Sequence, residues 1–335
     1  MRATVKDVAA LAGVSAKTVS NVINGVVFVR PETKKRVEAA LAELDYVPNL
    51  SARGLRNGRS GVIALALPDL ATAYSAEMAH HFVEGAHDRG WGVQIEETGS
   101  KPEREAQLLS RARARMVDGL VLNPVVSGEL TLPEDESQVP PAVLIGEVEE
   151  NRLDQVLVDP DQAAYDLTTM LIGQGLRRIA VVGSPVSSFT FTARLRTRGY
   201  RRALADAGIP HDPTLEIGCD EWSPRGGAHA VGAFLDRERI PDAFFCFTDS
   251  LALGVLSELW QRGVQVPQGV SVAGFDDVAV GRFATPPLTT VSFDKRAFVD
   301  AALDRLSERI IDRSRPVTVT RVPYSIVQRQ STRQR

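Results

Sequence analysis

Thr4-Val5-Lys6-Asp7-Val8-Ala9-Ala10-Leu11-Ala12-Gly13-Val14-Ser15-Ala16-Lys17-Thr18-Val19-Ser20-Asn21-Val22-Ile23-Asn24 is the stretch that decides how the chain is organised. Thr4 followed three residues later by Asp7 is a capping-box pattern, which opens a helix. Val8, Leu11 and Ala12 give that helix an apolar face, and Gly13 is a natural stop. Ser15 is a second N-cap, starting a helix that runs to about Ile23. Only a turn of about three or four residues containing Gly fits between them, which is the helix-turn-helix connection. In the second helix Val19, Val22 and Ile23 share one face, whereas Ala16, Lys17, Ser20 and Asn21 share the other. Pro31 suits the first turn of a third helix, whose Val37, Ala40, Leu41 and Leu44 keep the i, i+3, i+4, i+7 rhythm.

Beyond this small bundle, Pro48-Asn49 closes the module, and residues 49–59 hold three Arg, two Gly and no acid. That composition reads as a solvated linker or as a segment that orders only on DNA. The rhythm then changes. Apolar runs at Val62–Leu67, Gly92–Ile95, Gly119–Leu122, Ala142–Ile145, Val156–Val158, Ile179–Val182, Ala243–Phe247 and Val270–Ala273 read as strands. Helical patterns at 74–88, 103–116, 162–174, 194–207, 226–238 and 250–262 separate most of them. Short apolar strands alternating with helices predict parallel sheets covered on both faces. The pattern repeats before and after about residue 160, which predicts two lobes closing on a ligand at the carboxyl ends of their strands.

Charge follows the same division. The 335-residue chain has a net charge of −3, yet residues 1–60 hold ten Lys/Arg against five Asp/Glu and the remainder 29 against 37. A basic module on an acidic body suits a nucleic-acid binder that touches phosphate at one end. No apolar run reaches the roughly 20 residues of a membrane span, and residues 1–7 have no apolar leader core, so a cytoplasmic protein is expected. Cys219 and Cys246 are too few to complete a four-ligand zinc site.

The run Val5-Lys6-Asp7-Val8-Ala9 … Thr18-Val19-Ser20-Asn21-Val22-Ile23-Asn24 resembles the start of the lactose-repressor (LacI/GalR) family. Leu44-Asp45-Tyr46-Val47-Pro48-Asn49, Asp118-Gly119-Leu120, Arg196 … Gly199-Tyr200, Thr248-Asp249, Gly274-Phe275-Asp276-Asp277 and Pro287-Leu288-Thr289-Thr290-Val291 extend the likeness over almost the whole chain. The resemblance implies an all-α helix-turn-helix DNA-binding domain joined to an α/β, two-lobed, periplasmic-binding-protein-like core with Rossmann-like lobes. It places the DNA-binding domain at 1–47 and a hinge at 48–60. One lobe is expected from 61–159 and 291–320, the other from 160–290 and 321–330. The implied protein is a homodimeric transcriptional regulator, probing a pseudo-palindromic double-stranded operator and controlled by a small-molecule effector, with no cofactor, metal or membrane.

Residue by residue, the resemblance puts Ala16, Lys17 and Asn21 at base edges. Lys can donate to guanine and Asn can pair with an adenine edge. Thr4, Ser15, Thr18, Ser20 and Asn24 are expected near phosphates, with Arg30, which stands where the family often has Ser or Thr before the proline. In the hinge, Leu55 matches the wedge pushed between base pairs, and Ala52 lies beside it. Tyr74, Arg196, Trp222, Thr248 and Asp276 are the implied effector residues, with Glu147 and Ser187–Thr190 as weaker additions. The implied effector is a sugar, with a nucleoside or another metabolite as the alternatives.

An enzyme is the main rival reading. Asp276-Asp277 are adjacent and do not converge on one bond as glycosidase carboxylates do. The five histidines form no H-E-x-x-H pattern, and no G-x-x-x-x-G-K-[ST] loop is present. A stand-alone sugar-binding protein is opposed by the basic helical module.

Overall fold

The computed structural model describes residues 3–24, 28–46, 59–110, 116–124, 139–146, 148, 152–184 and 191–333. The chain divides into two compact units, Met1–Ser60 and Gly61–Arg335.

The first unit is built from α1 (Val5–Ala12), α2 (Ala16–Asn24) and α3 (Pro31–Glu43). The Thr4–Asp7 capping box is formed in both directions, and Gly13 ends α1 at φ +62°, where a side chain would be strained. The Ser15 Oγ accepts the Thr18 N–H at 3.1 Å and starts α2. Val8, Ala9, Ala12, Val19, Val37 and Ala40 make the buried centre of the three helices. Arg36 donates to the Gly13 carbonyl at 3.2 Å, tying α3 to the turn between α1 and α2.

The second unit holds two six-stranded sheets among the described residues. In the first lobe, β1 (Val62–Leu67), β2 (Gly92–Glu97), β3 (Gly119–Leu122), β4 (Ala142–Ile145), β5 (Asp154–Leu157) and a late strand, β11 (Val319–Arg321), run in the order β11-β5-β4-β3-β1-β2. All the pairings are parallel. The helices of this lobe are α4 (Ala73–Asp88) and α5 (Pro102–Leu108), joined by α11 (Lys295–Ile311) from far along the chain. Burial of Phe298, Val299, Ala302, Leu303 and Leu306 seats α11 on the sheet. A Cβ on Gly85 would come within 2.9 Å of Leu303, and one on Gly119 within 2.7 Å of Leu306.

The second lobe contains α6 (Pro160–Gly173), β6 (Ile179–Ser184), α7 (Phe191–Asp206), β7 (Glu216–Gly218), α8 (Pro224–Leu235), β8 (Ala243–Cys246), α9 (Asp249–Gln261), β9 (Ser271–Phe275), α10 (Ala279–Arg282), β10 (Thr289–Phe293) and β12 (Tyr324–Val327). Its sheet order is β12-β10-β9-β8-β6-β7. The central strands are fully buried, in keeping with their apolar runs.

The expected parallel sheets hold except at one edge, and two boundaries differ from expectation. β12 pairs antiparallel with β10, so the second sheet is parallel except at one edge. Residues 291–293, expected in the first lobe, belong to β10, which is hydrogen-bonded to β9 and β12 of the second lobe. The return to the first lobe therefore comes after Phe293, and that lobe's last strand reaches Arg321. Of the helix expected over 103–116, the first part is α5, which ends at Leu108 with Leu109 donating its N–H back to Glu105, and residues 111–115 lie outside the described residues.

Candidate functional site

Two sets of residues invite chemistry, one in each unit. In the first unit, Ala16 and Lys17 are exposed on α2, and Ser20 and Asn21 are half-buried beside them. Val19 points the other way and is fully buried. The separation follows from helical periodicity, with Lys17 and Asn21 one turn apart on a single surface. Thr4 is engaged with Asp7, donating its hydroxyl to the carboxylate at 2.7 Å, and these bonds hold the Asp7 carboxyl below its ordinary range. Ser15 and Thr18 share a hydroxyl–hydroxyl bond of 2.9 Å at the start of α2. Arg30 is exposed and makes no side-chain cap on α3, as its replacement of Ser or Thr predicts. The backbone of Asn24 ends α2, while the hinge residues Ala52 and Leu55 lie outside the described residues.

In the second unit a cavity of about 640 Å³ opens at the carboxyl ends of both sheets. That volume is on the scale of small-molecule sites. Tyr74, Arg196, Trp222, Thr248 and Asp276 all line it. Each reaches the cavity from an element that starts or ends there, which is where the α/β lobe geometry exposes backbone and side chains together. Tyr74 stands in the first turn of α4, which Thr72 caps by accepting the Ser75 N–H at 3.2 Å. Trp222 follows β7 and meets the Phe247 ring edge-on, 6.3 Å between centroids. The Thr248 hydroxyl accepts the Leu251 N–H at 3.2 Å and caps α9.

Arg196 is only 5% exposed. Its guanidinium lies over the Phe275 ring at 3.5 Å, and its Nη1 donates to the Phe247 carbonyl. The Nε is buried with no acceptor among the described residues. An unmet buried donor costs stability unless something else supplies the acceptor.

Asp276 follows β9 and is 6% exposed, with its backbone at φ +115°. A non-glycine residue in that region is strained and stays there only when its surroundings fix it. Those surroundings are polar and buried. Asp249 accepts the Val278 N–H at 2.9 Å and the Thr290 hydroxyl at 2.6 Å. Burial pushes the Asp249 carboxyl up to about 7, against the opposing pull of these hydrogen bonds. Asp277 accepts from Arg329 at 2.5 Å, Ser292 at 2.9 Å and Arg282 at 3.0 Å. Burial alone would raise its carboxyl, but these donors outweigh it and hold it below the ordinary range.

Sequence reasoning missed other lining groups. Asp69, Glu97 and Asn123 sit at the ends of β1, β2 and β3, and Asp220 and Glu221 just after β7. Polar residues at strand ends were the available signal. Glu147 and Ser187–Thr190 lie outside the described residues.

Residues 4–49 match the model of bacterial regulatory proteins of the lacI family, and residues 168–332 match that of a periplasmic binding protein-like domain. The chain is 31% identical over 339 residues to the HTH-type transcriptional repressor PurR of Aliivibrio fischeri, covering 98% of each. The chain belongs to the lacI family of bacterial regulatory proteins. The lac repressor dimer bound to operator and the anti-inducer ONPF has a TM-score of 0.86 at 27% identity, covering 99% of each chain. The complex of the transcriptional regulator CelR with cellobiose has a TM-score of 0.71 at 31% identity, covering 98% of this chain and all of that one. This lacI-family protein is a transcriptional regulator and not an enzyme, with a helix-turn-helix unit and a two-lobed α/β unit. No helix among the described residues is long and apolar enough to cross a membrane.

Proposed function

We propose that this regulator represses transcription in the cytoplasm as a homodimer on a pseudo-palindromic operator, and that a sugar in the interlobe cavity sets its grip. Two-fold pairing supplies the site length that one small module lacks. α2 is the recognition helix. Lys17 and Asn21 read base edges from its exposed face, and Ala16 offers a methyl to thymine. Thr4, Ser15, Thr18, Ser20, Asn24 and Arg30 lie against the backbone, and residues 48–60, with Ala52 and Leu55, form the hinge.

One observation carries the effector half. Arg196 and Asp276, both more than nine-tenths buried, line the same cavity as Trp222 and Tyr74. A guanidinium and a carboxylate serve the acceptor and donor sides of neighbouring hydroxyls, and an aromatic face covers the apolar side of a sugar ring. Thr248 adds a hydroxyl. CelR, the relative of known structure in complex with cellobiose, supports the same class of ligand.

Calorimetric titration of the full chain with mono- and disaccharides and with nucleosides tests the effector. Gel shifts on operator fragments, with and without each compound that binds, test control. A sugar that binds and changes operator affinity is the expected result. Nucleoside binding with no sugar binding would replace the sugar by the other class.

A further inference from the structure

We propose that the effector of this regulator is uncharged, and that the cleft rejects sugars and nucleosides bearing phosphate or carboxylate. The inference rests on the sugar reading above and narrows it. Among the described residues that line the cavity, Asp69, Glu97, Asp220, Glu221 and Asp276 are acidic and Arg196 alone is basic. Five carboxyl side chains against one guanidinium give the lining a formal charge of −4. The acids come from both lobes, so a bound anion meets them from two sides. A cleft of one sign between low-dielectric walls concentrates its potential and lowers the local concentration of like-charged ligands.

Three of the five carboxylates, those of Asp69, Glu97 and Glu221, are fixed in place by hydrogen bonds to the chain itself. One Asp69 oxygen accepts the Ala71 N–H at 2.8 Å, and one Glu97 oxygen accepts the Leu70 N–H at 3.0 Å. One Glu221 oxygen accepts the Ser223 hydroxyl at 2.5 Å. An ionised carboxylate accepts hydrogen bonds and donates none, so a ligand hydroxyl suits it and a ligand carboxylate or phosphate does not.

The single cation does not reverse this. Arg196 is stacked on Phe275, with Nη1 given to the Phe247 carbonyl. Its buried Nε–H has no acceptor among the described residues. One hydroxyl or ring oxygen meets that need without adding a negative charge beside five others.

Matched pairs test the proposal on the full chain by calorimetry. They are glucose with glucose 6-phosphate and with glucuronate, cellobiose with cellobionate, and guanosine with guanosine monophosphate. The neutral member of any pair that binds should do so about ten-fold tighter or more, since each added carboxylate repulsion at ligand distance weakens an anion by roughly that order. Asp220→Asn combined with Glu221→Gln should narrow the gap by about three-fold or more. An anionic member that binds as tightly as its neutral mate overturns the proposal, and so does a gap the double variant leaves unchanged. Inorganic phosphate and sulfate, titrated at constant ionic strength, give an arm that needs no known effector. Their effect is read as the fluorescence difference between the parent and Trp222→Phe. No saturable change is expected, and one that disappears in Arg196→Ala overturns the proposal. If only guanosine binds and its monophosphate is rejected, the sugar reading fails while the charge restriction stands.

Discussion

Glu77 of the first lobe accepts the backbone N–H of Ala279 of the second lobe at 2.6 Å. The same carboxylate lies 3.2 Å from the Lys295 ammonium, which is 9% exposed and donates to the Asp277 carbonyl at 2.8 Å. One side chain therefore links α4 to the turn that carries Asp276. Glu77→Ala leaves a nearly buried ammonium without this counter-charge and should cost about 1–3 kcal/mol of stability. Glu77→Gln, which keeps an acceptor for Ala279, should cost less. Urea unfolding reads both, as a lowered midpoint at unchanged slope. An unshifted midpoint for the alanine variant would show that the contact adds nothing.

Asp249 gives the core a pH dependence. Its carboxyl is pushed from 3.8 up to about 7 on folding. Between those values the folded chain holds a proton that the unfolded chain releases, so stability falls as pH rises through this window and levels off above it. Asp277, held low, contributes the opposite slope at more acidic pH. Asp249→Asn should flatten the fall between about 4 and about 7, because the amide is never charged and still offers an oxygen to the Val278 N–H. Thermal melts across that range decide it. A variant as steep as the parent would exclude Asp249 as the source.

On the operator, Asn21→Ala should cost roughly 1–3 kcal/mol and relax sequence preference, since α2 turns Asn21 outward beside Lys17. Binding of the parent should weaken steeply with salt as phosphate contacts release counterions. Equal binding of all sequences by parent and variant would remove α2 from the groove.

Arg196→Ala should abolish the response of the operator complex to effector. Calorimetry on the free variant should show effector binding weakened by about ten-fold or more, the scale of a lost charge-assisted hydrogen bond. A fully responsive variant would mean that the effector sits elsewhere.

A Cβ on Gly254 of α9 would collide with the Pro224 carbonyl at the start of α8. Backbone cannot give way as a flexible side chain can. Gly254→Ala should therefore lose about 1–3 kcal/mol or more, despite alanine's better helix propensity. A melting temperature at or above the parent's would contradict the close approach of these helices.

What could be read from the residues divides along physical lines. The three N-terminal helices were legible because their signals are local: Thr4 with Asp7, Gly13, Ser15 and Pro31 cap or stop a helix wherever it packs. The central strands were legible as apolar runs. β7, three residues long, and β11, half exposed, carry too little pattern to be seen. α11 was passed over although Lys295, Phe298, Val299, Ala302, Leu303 and Leu306 keep a helical stripe. The boundary near residue 293 depends on β10 pairing with strands before and after it in sequence, a long-range fact that no window contains. In the cleft, Asp276 and Arg196 were both found by resemblance. The burial of Asp249 was hidden, because an acid in the first turn of a helix is ordinary on a surface.

Each lobe borrows from the far end of the chain: α11 and β11 finish the first, while β10, β12 and the buried Ser331 and Thr332 finish the second. During synthesis the helix-turn-helix unit has every residue of its own core once α3 has left the ribosome. The first lobe, whose first strand follows soon after, must wait until Arg321 has emerged before its sheet can close. A nascent chain thus carries a complete head on two unfinished lobes whose apolar strands need shielding, and a premature stop after about residue 315 would strip an edge strand from both sheets at once.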